Sequence, residues 1–536
     1  MSVEFTPSDL TVFIPTRDRW PILQRTLAAL ASQSVSGFDV VVVVDGTDQQ
    51  VPDLAPARVI VTEQGGPGAA RNAGVKATDR PLVLFLGDDM VPSTGLIERH
   101  VQRHRADPSP TTAILGLSRW HREVSAGRIN RWLDWSSTQF DYASIQGDEA
   151  GWGRFYSSNV SMKRSFFLDA GGFDEDFTYY YEDLDLAWRL HRRGLDLRFE
   201  EQAVAQHLHR IEWPDVVRRF QGIARGEYLM ARKHDWFVPY FRERIRTAAV
   251  APRVPAYWTR LTERTPGWLR TRARTRANTH YHQQLAPYFL DAWAAEADLE
   301  ELRTYLGERY DHTRLVDHMG EVARELEATA DESAFYRSSE SYLYDLTAFA
   351  MSGTKIPYRR DLSRIVRAGG RLLDWGCGIG ADGLRLIDAG YDVSFADFDN
   401  PSTRYLRWRL GRRGLSAAVY DVDRDEIPAG FDAAYAFDVI EHVDDPFSML
   451  ASMEARAAIV MVNLLEEEHG DEHPHHRDLP IDQILDHARR RGLLRYRLYH
   501  DRSHLVVYRG NDTLHTSADR LRSLLQRHLG RRLRAG

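Results

Sequence analysis

Two aspartates, Asp88 and Asp89, directly follow the apolar run PLVLFLG. Carboxylates at the end of a buried strand are costly unless a cation or another positive partner meets them. In an α/β sheet, strand exits also border the ligand crevice. A Mg²⁺ or Mn²⁺ ion held by Asp89 would join it to a nucleotide diphosphate and draw charge from a leaving group, with Asp88 orienting a ribose hydroxyl or a water. A second constellation is LLDWGCGIGADG, where Gly376, Gly378 and Gly380 lie between an apolar strand and a helix. Glycines let a backbone turn closely around a nucleotide-derived ligand, and helix N–H groups favour its carboxylate. The loop alone fits NAD and S-adenosylmethionine equally. A third, EEEHGDEHPHHRDLP, sets His473, His475 and His476 among acids. It reads as an acceptor entry, a proton acceptor, a divalent-ion site or a polar loop.

Strand ends must hold the first two constellations. LTVFIP at 10–15 predicts a strand, followed by a helix near Pro21 with Leu23, Leu27 and Leu30 on one face. Phe38–Gly46, ARVIVT and PLVLFLGDD continue as strands, with a helix over ARNAGVKA. From about 360 a second set appears: RLLDWG, YDVSFADFD, FDAAYAFDVIEH, AAIVMVNLL and a terminal strand pair in LLRYRLYHDRSHLVVYRG. The recurrence predicts an α/β fold class with two sheets. Between them, Arg253, Arg260, Arg264, Arg270, Arg272, Arg274 and Arg276 run among aromatics and prolines. This basic stretch either faces water or meets an anionic surface. The domain reading is 1–230, a helical connector or packing module 231–350, a second α/β domain 351–515 and an amphipathic helix 516–536.

With 536 residues, two or more domains are expected. A net charge of -7 gives no reason to expect nucleic-acid binding. The single cysteine, Cys377, excludes an intrachain disulfide framework. The first residues lack a signal-like segment, and no apolar stretch approaches bilayer-spanning length. The expectation is therefore a cytoplasmic protein, with any membrane contact peripheral at the inner face; the terminal helix also fits an oligomer contact.

FIPTRDRW, VVVVDGTD, GPGAARNAGV, FLGDDM and GGFDEDFTYYYEDLDLAWRL occur in an order and spacing that resemble the inverting, GT-A-fold glycosyltransferase family two, over residues 8–210. The resemblance implies a nucleotide-diphosphate sugar as cosubstrate. It implies nucleotide recognition at Thr16, Arg17, Asp45, Arg71, Asn72 and Asp88. Where the family doubles the aspartate, this chain has Asp45 followed by Gly46, which leaves the base open. Gly65, Gly66, Gly68 and Gly74 would permit a close turn by the donor. Asp183 is implied as general base, with Glu182 beside it and Asp185 stabilising the following helix. Asp89 and His207 are implied at the metal, with His209 as alternative to His207. Trp152, Tyr156 and Asn159 would line the acceptor pocket.

Residues 369–509 look like a class I S-adenosylmethionine-dependent methyltransferase, a seven-stranded Rossmann-like family. The resemblance assigns donor contacts to Asp374, Gly376, Gly378 and Gly380. It places Asp397 at the ribose, with Asp399 as a substitute, and Asp421 toward the adenine amine. Asp438, Glu441 and His442 fall near the donor–acceptor junction, with His442 as a base, and Cys377 is a small loop residue.

Together these readings imply a metal-dependent inverting glycosyltransferase fused to a glycan O-methyltransferase in surface polysaccharide synthesis, acting on a nucleotide sugar and a glycan or glycosylated acceptor. Methylation that consumes the next hydroxyl would terminate elongation. The alternatives are tailoring of a natural product or peptide, and a sugar-binding scaffold with one inactive domain.

Overall fold

The computed structural model describes residues 4–262, 266–329, 332–466 and 479–511. The chain forms two compact units, Met1–Phe289 and Leu290–Gly536. The segment 231–350 is therefore not a third unit: its first part belongs to one body and the remainder to the other. His473, His475, His476 and the expected helix 516–536 lie outside the described residues.

The first unit is built on eight strands: β1 Leu10–Thr16, β2 Asp39–Asp45, β3 Arg58–Thr62, β4 Leu82–Leu86, β5 Met90–Pro92, β6 Thr112–Trp120, β7 Asn159–Lys163 and β8 Asp196–His207. Their order is β3-β2-β1-β4-β7-β6-β8-β5. The first four in that order are mutually parallel, and β7 runs antiparallel to β4. The valine run makes β2 a strand buried on both faces, with Val41, Val42, Val43 and Val44 all in the core. The helix Trp20–Ala31 starts with Pro21 in its first turn and buries Leu23 and Leu30. Gly74, in the helix Gly66–Lys76, lets it approach β1, because a Cβ there would lie 2.6 Å from Phe13 Cδ1.

The second unit carries β9 Arg371–Trp375, β10 Asp392–Asp397, β11 Val419–Asp421, β12 Ala433–Ala436, β13 Ile459–Leu465, β14 Leu493–Tyr499 and β15 Ser503–Arg509. The order is β11-β10-β9-β12-β13-β15-β14. The first five are parallel, while β15 runs antiparallel to both β13 and β14. Chain order reverses at β9, whose neighbours are β10 on one side and β12 on the other. In such sheets a ligand crevice opens at that switch point, beyond the carboxyl ends of the strands. The helices Glu332–Ser338 and Ser341–Ser352, expected in the connector, belong to this unit.

Candidate active sites

In the first unit, Asp88 and Asp89 leave β4 and are buried. Thr16, at the end of β1, donates to Asp88 Oδ2 at 2.8 Å. Arg19 spans both acids, 2.9 Å from Asp88 Oδ1 and 2.7 Å from Asp89 Oδ2. The Asp89 carboxylate also lies 3.1 Å from His207 Nε2 and 3.5 Å from His209 Nδ1. His207 closes β8 and stacks on Trp120, with ring centroids 4.8 Å apart. Burial and the adjacent Asp89 push Asp88 up to about 6. Burial also opposes ionisation of Asp89, but His207, His209 and Arg19 prevail and hold it well below the usual carboxylate range. One ligand atom from each of Asp89, His207 and His209 falls within 4.8 Å of the others, a donor set that fits a divalent cation.

A backbone contact ties this cluster to the acid pair on the helix Glu182–His191. Gly87 N–H donates to Ser158 O at 3.3 Å, and Ser157 N–H donates to Asp183 Oδ2 at 2.9 Å. Two successive non-glycine residues, Tyr180 and Tyr181, have φ of 63° and 73° and turn the chain into the helix. Such backbone is unfavourable for bulky side chains and persists only when surroundings enforce it. Here Tyr181 donates to Glu227 Oε1 at 2.8 Å, and Gly222 makes room for the Tyr180 ring, 2.7 Å from where a Cβ would stand. Asp183 is half-buried, yet its Oδ1 is shielded from solvent without a hydrogen-bond partner, as are Glu182 Oε2 and Arg71 Nη1. Burial and the Asp183 charge raise Glu182 to about 7, against the pull of Arg71. Burial also raises Asp183, opposed by Arg71 and Ser157.

Several expected contacts have other partners. Arg17 is exposed, 4.0 Å from Asp18, and the arginine that meets the acids is Arg19. Asp45 accepts from the Gly65 and Gly66 N–H groups at 2.7 and 3.0 Å, securing the start of the next helix. Gly66 has φ of 87° and packs on the Thr178 carbonyl, so its absent side chain serves the chain fold. Arg71 is buried 3.7 Å from Glu182 and over the Phe173 ring. Asn72 fastens a loop: its amide donates to Phe173 O and Glu175 Oε1 at 2.8 and 2.9 Å and accepts from Phe173 N–H. It therefore has no side-chain donor left for a nucleotide. Asn159 is interior, bonded to His100 and to Ala203 O at 3.0 and 2.9 Å, and does not line an acceptor pocket. Tyr156 and Trp152 pack against the core, Trp152 stacking on His191. Asp185 stabilises its helix as expected, through Arg189 at 2.7 Å and His234 at 2.8 Å.

In the second unit, a cavity of about 220 Å³ opens at the switch point, bounded by the loop Asp374–Ile379, Asp397, Asp438 and His442 and by Tyr336, Tyr342 and Phe349. Gly376, Gly378 and Gly380 have φ of 70°, 50° and 70°. A Cβ on them would stand 2.4 Å from Val439, 2.8 Å from Leu346 and 2.4 Å from Leu406. Asp397, ending β10, accepts from Gly378 N–H and Phe398 N–H, each at 2.7 Å. Burial raises it to about 6 despite those bonds. Asp374 is buried with no hydrogen-bond partner at Oδ2; burial and the Asp382 charge raise it to about 8.

At the exit of β12, Asp438 has φ of 55° and is clamped by Asn463, which donates to its Oδ1 at 2.6 Å and accepts from its N–H. Lys355, which no motif singled out, donates to Phe437 O at 2.8 Å and lies 3.3 Å from Asp438. Neither oxygen of buried Glu441 has a hydrogen-bond partner; burial and Asp438 raise it to about 8. His442 Nδ1 lies 2.9 Å from the Tyr336 hydroxyl. Asp421 is not among the residues that bound the cavity, and its Oδ1 accepts from Asp423 N–H at 3.1 Å within its own turn. Asp399 is exposed beside Arg407, and Cys377 is a buried loop thiol whose pKa burial pushes up.

Residues 11–158 match the family described as Glycosyl transferase family 2. The chain is 27% identical over 231 residues to the validoxylamine A glucosyltransferase of Streptomyces hygroscopicus subsp. jinggangensis (strain 5008), covering 36% of this chain and 54% of that protein. It is 30% identical over 225 residues to the pre-mycofactocin glycosyltransferase of Mycobacterium tuberculosis (strain CDC 1551 / Oshkosh), covering 39% and 45%. It is 26% identical over 287 residues to a chondroitin synthase of Escherichia coli, covering 46% and 41%. The chain thus spans about half the length of the curated relatives it matches. The family match carries the N-terminal region, whose sheet is GT-A-like.

Proposed function

We propose that the first unit transfers a sugar from a nucleotide diphosphate with inversion and that the second transfers a methyl group from S-adenosylmethionine to a glycan hydroxyl. The observation that carries the first half is the linkage of the acids leaving β4 to Asp183 through Ser157 and Ser158. Asp89, His207 and His209 would hold the divalent cation, which when bound offsets diphosphate charge. Ser157 fixes Asp183 Oδ2, leaving Oδ1 to take the proton of an acceptor hydroxyl. The hydroxyl oxygen bonds to the anomeric carbon as the carbon–phosphate oxygen bond breaks, and the electron pair departs on the nucleoside diphosphate. Because Asp183 acts on the acceptor, one displacement suffices and the configuration inverts.

The methyl-transfer reading rests on the seven-stranded order, the cavity at β9, the glycine cradle and the unpartnered Asp374 oxygen. A sulfonium donor bound there supplies an activated methyl group. Asp397 would accept ribose hydroxyls, Asp374 would meet the donor's ammonium group, and His442 would take the acceptor proton. A second reading, a defined small molecule or peptide as acceptor, is favoured by similarity to the proteins named validoxylamine A glucosyltransferase and pre-mycofactocin glycosyltransferase.

Mass spectrometry of products from a panel of nucleotide sugars and acceptors, with and without S-adenosylmethionine, tests both halves. The expected result is a sugar increment in either case and a methyl increment only with S-adenosylmethionine. Binding of both donors with turnover of neither would overturn the proposal in favour of a scaffold.

A further inference from the structure

The segment from Val238 to Arg276 of the first unit concentrates apolar exposure and positive charge. Val238, Val250 and Trp268 expose 73%, 85% and 79% of their surface, and Tyr240 and Tyr257 are also exposed. Arg253, Arg260, Arg270, Arg272 and Arg276 are exposed in the same stretch. Between Glu243 and Asp291 the sequence carries nine arginines against a single acidic residue, Glu263. Isolated exposed apolar side chains are ordinary, but this density beside a large excess of arginine is the pattern of a binding surface.

The local structure holds these residues outward. Gln283 donates to the carbonyls of Ala248, Ala251 and Pro252 at 3.1, 3.2 and 3.2 Å and accepts from Val254 N–H, pinning the turn beyond Val250. On the helix Gly267–Leu306, Ala273 and Ala277 face inward, while Trp268, Arg272 and Arg276 recur every four residues as one exposed stripe.

We propose that this surface docks the protein onto an anionic lipid membrane. Aromatic rings favour the headgroup boundary, aliphatic tips enter the acyl region and arginines pair with lipid phosphates. The branched side chains of Val238 and Val250 argue for lipid over a soluble polyanion, which offers them no hydrocarbon. Membrane attachment here is peripheral: no helix among the described residues is long and apolar enough to cross a bilayer.

Vesicle flotation of the full chain tests this surface. Wild type should float with mixed phosphatidylglycerol–phosphatidylcholine vesicles, not with phosphatidylcholine alone, and high salt should release it. The pair Arg272→Glu/Arg276→Glu and the pair Val250→Ser/Trp268→Ser should each weaken binding at least about tenfold, with unchanged melting temperatures showing that they fold. Wild-type binding by either pair, or no preference for phosphatidylglycerol, would overturn the proposal. So would retention on soluble dextran sulfate that matches vesicle binding and is indifferent to the Val250→Ser/Trp268→Ser pair.

Discussion

Asp89 in the first unit and Asp374 in the second occupy equivalent stations near the exit of a parallel strand, yet their surroundings favour opposite protonation states. Asp89 is ringed by Arg19, His207 and His209, which keep it ionised within the interior. Asp374 meets no cation at hydrogen-bonding distance, lies near other acids and retains its proton up to about pH 8. Position in an α/β sheet thus brings a carboxyl to the crevice, and its immediate partners decide its chemistry. The first arrangement suits exchange with a metal ion and phosphate. The second offers a neutral O–H, or an anion once a cationic group arrives.

The largest effect that would sharpen this contrast is Asp183→Asn. Sugar transfer should fall about 10² to 10⁴-fold with donor binding retained and methyl transfer unchanged; normal sugar-transfer rates would remove Asp183 as base. Next, chelation should lower sugar transfer by roughly 10²-fold, with recovery on adding Mn²⁺ and no effect on methylation. Metal-independent sugar transfer would break the proposed role of the Asp89 cluster. Gly376→Ala introduces a Cβ 2.4 Å from Val439 on left-handed backbone. Calorimetry should show S-adenosylmethionine binding weakened at least about tenfold while nucleotide-sugar binding is unchanged.

The smallest effect is on stability. Burial raises Asp374 and Glu441 from 3.8 and 4.5 to about 8, so the folded second unit holds protons that the unfolded chain has released. Their stabilising contribution is full below about pH 4 and is lost as pH rises through about 8. Scanning calorimetry should show the melting temperature of this unit declining between pH 5.5 and 8, with a shallower decline in Asp374→Asn. A melting temperature that rises over that interval would refute the protonated assignment.

Strands β1 to β4 and most of the second sheet were legible because β-branched and apolar runs of five to seven residues ended in turn residues, as in Leu10–Thr16 and Ile459–Leu465, whereas β5 to β8 and β11 were not singled out. The glycine cradle was legible too, since three glycines between a strand and a helix have few structural uses. Side-chain partners across the fold were less accessible. Arg17 and Arg19 flank the same turn, and nothing local tells which guanidinium reaches acids 70 positions onward. Asn72 looks available until Phe173, 101 residues away, takes its amide. The positive φ of Tyr180 and Tyr181 depends on Glu227 and Gly222 and carries no local glycine signal. Lys355 lies outside every motif, and only packing brings it to Asp438.

Arg409, wholly buried, donates to the carbonyl of Ile379 beside the glycine cradle at 2.8 Å and is held by Asp298 and Glu301. Cutting the gene where the composition changes, near residue 350, would discard both anchoring acids and strand a guanidinium in the interior, a loss of about 3 to 5 kcal/mol when one partner of a buried pair is removed. A separately expressed C-terminal half should therefore begin at or before residue 290, and shorter fragments should fail for want of a brace rather than for want of a cofactor pocket.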